Sequence, residues 1–224
     1  MTNPLKTLAS LSVLSLTFAC SSPQPADAQN PPRSTAGFAP ANLTGLAQAT
    51  FAGGCFWAQE EAFEQLKGVK QVVSGYAGGT KANPTYEEVA DKTTGHTETV
   101  QIYYDPKVIS YQKLAEIFFT ASHDPTQLNR QGNDVGPEYR SAAFYRTPEE
   151  KAVLEATIAR VNASKEYRNK VVTEVVPFRK FWPAEDYHQG YFRLHPENPY
   201  ITNVSAAKVE HVQRAFPKDL KSPL

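Results

Sequence analysis

A single thiol stands at position 55 between a glycine pair and an aromatic pair, in the run TFAGGCFWAQEEAFEQLKG that covers residues 50–68. If a strand ends at Gly53 and a helix begins at Cys55, the sulfur lies at a helix N-terminus. There, unpaired backbone N–H groups and the helix dipole favour a thiolate. Gly53 and Gly54 permit a sharp turn and leave room for a ligand. Phe56 and Trp57 place apolar rings beside the sulfur, which suits a small apolar group bonded to an electrophilic atom better than a charged one. Three classes of protein share these residues. One is a thiol enzyme of redox type, and one is a cysteine hydrolase with His188 as its base. The third is a tethered binding module whose aromatic pocket holds an apolar ligand; in the plainest structural reading Cys55 only packs where strand meets helix and the aromatics are core.

The elements around the thiol follow from periodicity. A strand is expected near Ala49 to Ala52, then a helix from Cys55 to Lys67, on which Ala58, Ala62 and Leu66 recur every fourth residue beside Phe63. Gly68 stops it. Val69 to Tyr76 and Glu98 to Tyr104 read as strands, the second with Val100, Ile102 and Tyr104 on one side. Asp105 and Pro106 form a turn, and Ser110 begins a helix through Leu114, Ile117 and Phe118. Ser141 to Tyr145 predicts a short strand. Pro148 opens a helix with Glu149 and Glu150 in its first turn, and Val171 to Phe178 is a further strand. This alternation of strand and helix predicts an α/β sandwich with an open sheet. Arg179 to Pro199 reads as ordered coil. Beyond it, Ala206, Val209, Val212 and Phe216 predict a helix.

Composition narrows the function classes. The 224 residues are 41% apolar with a formal net charge of zero, enough for one sizeable core and without the basic field that collects nucleic acid. At the start, Lys6 precedes an apolar stretch from Leu8 to Phe18, too short to span a bilayer and suited to a signal-peptide core. Leu16, Thr17, Phe18, Ala19 and Cys20 form an imperfect lipobox, while Ala26, Asp27 and Ala28 offer ordinary cleavage. The reading therefore divides the chain into a signal peptide (1–20), a Ser/Pro/Ala-rich tether (21–42) and one catalytic domain (43–224). It expects lipidation at Cys20 on the periplasmic side of a bacterial envelope, with a soluble periplasmic or secreted form as the alternative. Either processing route leaves Cys55 as the one free thiol of the mature chain. His96, His123 and His195 show no ligand spacing, so no metal is expected.

"GGCFW" resembles the nucleophile motif of peptide methionine sulfoxide reductases of the A type. The similarity continues, in the family's order, through "GYAGGTKANPTYEEV", "TGHTETVQIYYDP", "HDPTQLNRQGNDVGPEYRSA" and "WPAEDYHQGY". The resemblance implies an α+β fold: a two-layer α/β sandwich with a mixed open sheet, a ferredoxin-like core and a long ordered coil at the C-terminal side. It implies reduction of methionine-S-sulfoxide, in oxidised proteins and as the free amino acid. A sulfoxide is a weak electrophile at sulfur, so thiolate attack requires a hydrogen bond or proton for the departing oxygen. By resemblance Glu98 is the proton donor, with its carboxyl raised by an apolar pocket, and Tyr86 and Tyr139 point at the oxygen. Phe56 and Trp57 form the S-methyl slot, and Asp134 helps hold the substrate amide. Gly54, Asp186, Tyr187 and His188 are supporting residues. Read without the resemblance, Glu98 is a strand-end carboxylate, the tyrosines are core residues, and Asp134 is a turn residue beside Gly136.

The tail "HPENPYITNVSAAKVEHVQRAFPKDLKSPL" departs from the many family members that carry further cysteines there. A sulfenic acid on Cys55 must then be reduced by an outside thiol: a thioredoxin-like or glutaredoxin-like donor, or dithiothreitol in vitro. No bound cofactor, no nucleic acid partner and a monomer are expected.

Overall fold

The computed structural model describes residues 38–222. The expectations for the signal peptide, for lipidation at Cys20, for cleavage after Ala28 and for most of the tether lie outside the described residues.

The first strand, β1 (Ala47–Gly53), runs into helix α1 (Phe56–Glu64), with Cys55 as its N-cap residue. Strand β2 (Val69–Ala77) leads to a short helix α2 (Tyr86–Ala90), whose start is fixed by a capping box between Thr85 and Glu88. Strand β3 (Thr97–Tyr104) is buried along its whole length. Helix α3 (Tyr111–Ile117) starts where the Ser110 hydroxyl accepts from the Lys113 amide, and continues as a π-turn over Phe118–Ser122. A two-residue hairpin, β4 (Arg130–Gln131) and β5 (Asp134–Val135), precedes β6 (Ser141–Tyr145). Helix α4 (Pro148–Ser164) has Thr147 as N-cap, proline at its start and Glu149 and Glu150 in its first turn. The remaining elements are β7 (Glu174–Pro177), β8 (Phe181–Pro183), a single turn α5 (Tyr191–Leu194) and α6 (Ala206–Ala215).

Six strands form one sheet in the order β7-β6-β1-β3-β2-β8. All neighbours are antiparallel except β6 and β7, so the sheet is mixed, as the resemblance implied. The register matters for chemistry. Phe51 pairs with Val100 and Tyr76 with Glu98, so Glu98 lies beside the end of β1, where the glycine pair begins. The main core gathers on one face, where Phe51 stacks on Phe118 at 4.6 Å and meets Phe63 and Tyr111 at 6.0 Å. On the other face Phe38 and Ala39, from the end of the stretch read as tether, pack with Val73, Tyr103 and Phe181.

Helix α1 ends earlier than Lys67. Gln65 is its C-cap, and the next residues turn to the tail: Leu66 bridges to Leu220, and the Lys67 amide donates to the Asp219 carbonyl at 2.7 Å. The strand expected over 171–178 is confined to β7. The stretch read as coil contains β8 and α5. Its dense aromatics show no alternation, and Pro183 removes the donor that a longer strand would need, so only a three-residue edge forms.

Candidate active site

The nucleophile loop is built by steric exclusion. A Cβ at Gly53 would lie 2.9 Å from the His123 ring, and one at Gly54 would lie 2.6 Å from both Cβ and Cγ of Gln131. Gly54 also has φ +83°, in the region that glycine occupies without cost. Gln131 cannot easily yield, because its amide is bonded twice to the Asp124 backbone, at 3.0 Å each way. Gly54→Ala is therefore expected to cost about 1–3 kcal/mol of stability and to move Cys55. A lower urea midpoint with reduced activity checks this.

Cys55 and Glu98 open into one cavity of about 280 Å3, bounded also by Phe56, Trp57, Tyr86 and Tyr139, with Asn198 and Tyr200 contributed by the C-terminal segment. A larger surface cleft of about 340 Å3, beside Arg140, Glu174 and Lys180, contains none of these residues. Glu98 is 4% exposed, and its Oε2 accepts the Phe56 amide at 2.9 Å. Burial raises its pKa to about 8 against the opposing Phe56 hydrogen bond, and the carboxylates of Asp134 and Glu138 add to the rise. The carboxyl is thus protonated at pH 7. With Oε2 engaged by the amide, the proton sits on the other oxygen.

The thiol behaves differently from the helix-terminus argument alone. Cys55 does occupy the N-cap, yet burial pushes its pKa up to about 12, and the negative charge of Glu98 adds to this. Lys208, the Tyr200 hydroxyl and the Trp57 backbone pull the other way without reversing it. Desolvation outweighs the dipole because the cysteine is buried. Cys55 rests as a thiol, and charge must develop on it during the reaction.

The aromatic residues meet as a box. Trp57 stacks on Tyr191 at 3.9 Å, meets Tyr200 edge-on at 5.8 Å, and its indole N–H donates to Nδ1 of His188 at 3.1 Å. Nδ1 of His188 is thus engaged by the indole and is not available as the base that the hydrolase reading requires. Its ring also packs against Phe56 at 5.0 Å and Tyr86 at 4.6 Å. Burial, followed by the Glu98 charge, raises the phenols of Tyr86, to about 12, and Tyr139, so both remain neutral donors.

Asp186, expected to support the site by hydrogen bonding, is exposed, and its neighbour Glu185 does that work instead. Glu185 accepts from the Tyr86 amide at 3.0 Å and from the Tyr76 hydroxyl at 2.9 Å. Tyr187 is half exposed, with its ring 4.2 Å from that of His188. Asp134 reaches the cavity through Tyr200, whose hydroxyl donates to Oδ2 at 2.6 Å. Tyr200, Asn198, Tyr191, Glu185 and Lys208 were not anticipated. The signal for Tyr200 was present in "NPYITN", which carries an aromatic in a tail read only for cysteines and helical spacing.

Comparison with known proteins agrees with this geometry. The sequence profile of the peptide methionine sulfoxide reductase family matches residues 47–220. The peptide methionine sulfoxide reductase MsrA of Thermus thermophilus is 50% identical over 175 residues, covering 78% of this chain and 97% of that protein. The enzyme of the same name from Saccharolobus solfataricus is 48% identical over 77% of this chain and 96% of its own length. Among solved structures, methionine sulfoxide reductase A of Corynebacterium diphtheriae superposes with a TM-score of 0.62 at 32% identity, over 69% of this chain and 77% of that one. Reduced Mxr1 from Saccharomyces cerevisiae gives 0.65 at 30% identity, over 70% and 90%. A thiol and a neutral acid facing one aromatic cavity suit the reaction that these relatives share, and the chain belongs to the peptide methionine sulfoxide reductase family, the oxidoreductases that return methionine sulfoxide to methionine.

Proposed function

We propose that the substrate is the S epimer of methionine sulfoxide, in oxidised proteins and as the free amino acid, with Cys55 as nucleophile and Glu98 as acid. The observation that carries this reading is the amide between them. Phe56 N–H, next to the nucleophile in sequence, donates to Glu98 at 2.9 Å, so thiol and acid address the same point in the cavity. Phe56 and Trp57 receive the S-methyl group. Tyr86 and Tyr139 donate hydrogen bonds to the oxygen without adding full charge.

The Cys55 sulfur attacks the sulfoxide sulfur while Glu98 protonates the oxygen. The oxygen passes to Cys55, which is oxidised by two electrons to the sulfenic acid, and the methionine sulfur is reduced by two. One outside thiol then forms a mixed disulfide with loss of water, and a second releases Cys55 as thiol together with the donor's disulfide. A thioredoxin-like or glutaredoxin-like protein would fill that role, and dithiothreitol would replace it in vitro. The apolar run from Leu8 to Phe18, with Cys20 at its end, supports action in a bacterial envelope, anchored by lipid at Cys20 or released after Ala28. The catalyst would work as a monomer.

Incubating the protein with dithiothreitol and resolved epimers tests the assignment. Consumption of the S epimer alone is expected. Comparable loss of the R epimer, or of neither, would overturn it.

A further inference from the structure

The C-terminal helix carries a cation into a site otherwise lined by acids and phenols. On α6, Lys208 and Val212 are four residues apart and share a face, and Val209 lies beside them. Val209 and Val212 are buried, so seating the helix turns Lys208 inward. Its ammonium lies over the nucleophile loop, where a Cβ on Gly54 would come within 3.8 Å of Nζ. Nζ is buried without a hydrogen-bond partner and stands 3.8 Å from Oδ2 of Asp134. That same oxygen accepts the Tyr200 hydroxyl at 2.6 Å, and Tyr200 is also the side-chain hydrogen-bonding partner of the Cys55 sulfur.

We propose that Lys208 is a positioning residue for the reaction: its ammonium holds Asp134, and through that carboxylate the Tyr200 hydroxyl, beside the Cys55 sulfur, and its positive charge offsets the negative charge that forms there when the thiol loses its proton. The groups facing Cys55 argue the need. Glu98 from β3 disfavours a negative sulfur, and Tyr86 from α2 and Tyr139 from the turn before β6 are neutral phenols that cannot balance its charge. Asp134 and Glu138 add further negative charge at Glu98, and Lys92 lies 3.9 Å from Glu138. His123, which also feels Lys208, is kept neutral by burial and is bonded to the Phe118 carbonyl and Ser141. Lys208 offsets the charge that attack creates on Cys55. It does so from the same segment that supplies Tyr200.

The inference rests on Cys55 as the nucleophile, and its test reads the thiol without any sulfoxide. The pH dependence of Cys55 alkylation by iodoacetamide is measured in the full chain and in Lys208→Gln, Lys208→Met and Lys208→Arg. Both neutral variants should shift the midpoint upward by about one unit, slowing alkylation at neutral pH about tenfold, while arginine restores most of the rate. Single turnover of methionine sulfoxide should slow in parallel, with little change in its concentration dependence. An unshifted alkylation midpoint in a folded neutral variant overturns the proposal, and if sulfoxide turnover persists it does so without touching the assignment of Cys55. If neither neutral variant folds, the proposal also fails, because the role would then be structural.

Discussion

Glu98→Gln is expected to slow single-turnover reduction at pH 7 by about a hundredfold or more while the protein stays folded. Glutamine keeps the shape and can still accept the Phe56 amide, so the loss isolates the proton. At pH 7 Glu98 is already neutral, and its charge at higher pH only raises the Cys55 pKa, so replacing it with glutamine does not make the thiol harder to ionise. A slower reaction with a nucleophile no harder to ionise leaves acid catalysis as the explanation. The pH profile provides a second signature. The active pair, thiolate with protonated acid, holds the same number of protons as thiol with carboxylate. With Glu98 near 8 and Cys55 near 12, the rate at low sulfoxide should rise with pH up to about 8 and then level. In the glutamine variant no acid remains to titrate, and the rate should keep climbing about tenfold per unit beyond pH 8. A near-native rate at pH 7 with the same plateau would return Glu98 to a structural carboxylate.

The same carboxyl links function to stability. Its folded pKa is raised from an ordinary 4.5 to about 8, and that of Glu60, buried beneath Ser74 and the Gly190 amide, to about 7. For groups raised in this sense, the stability of the neutral form is fully present below about pH 4.5 and is lost as pH rises through 7 and 8. The site is therefore held more firmly in mild acid than in mild alkali.

Much of the arrangement was legible in the sequence because it is local. The strand, glycine pair, cysteine and helix follow one another within β1 and α1, and Ser110 as N-cap and Pro148 as first helical residue mark their helices through side chains next to the backbone they serve. Glu98, Tyr86 and Tyr139, which the motifs single out, border one cavity with Cys55. What stayed hidden depends on long-range packing. Nothing near residue 200 says that Tyr200 meets Asp134, because that contact exists only once α6 is seated on α1. The elevated thiol was equally out of reach. The N-cap position is a sequence property, whereas the burial that overrides it depends on residues from separate parts of the chain closing around one cavity, Glu98 and Tyr200 among them. The edge strand β8 lacked an alternating pattern. Glu185 and Asp186 are adjacent carboxylates, and only the backbone turn decides which of them faces Tyr86.

In the absence of any reductant, the protein should form one methionine per active site and stop, with a sulfenic acid at Cys55 that dimedone traps and no intramolecular disulfide. Cys55 is the free cysteine among the described residues, and what the tail brings to it is Tyr200 and Lys208. Ile201 is 2% exposed and is part of the packing that seats the tail, so this segment contributes apolar contact and charge but no second sulfur. Recycling is then bimolecular. Turnover should rise in proportion to the concentration of an external thiol and to its thiolate fraction, without the rate advantage that an intramolecular thiol confers. Burial adds a steric condition. Cys55 is 5% exposed at the base of its cavity, so a small dithiol should recycle it more readily than a bulky monothiol of equal acidity. Mass spectrometry after a single turnover reads the dimedone adduct directly, and steady-state rates against thiol concentration read the order. A disulfide between Cys20 and Cys55 in protein isolated from its native source would overturn the account. It would make Cys20 the resolving thiol and would rule out its acylation.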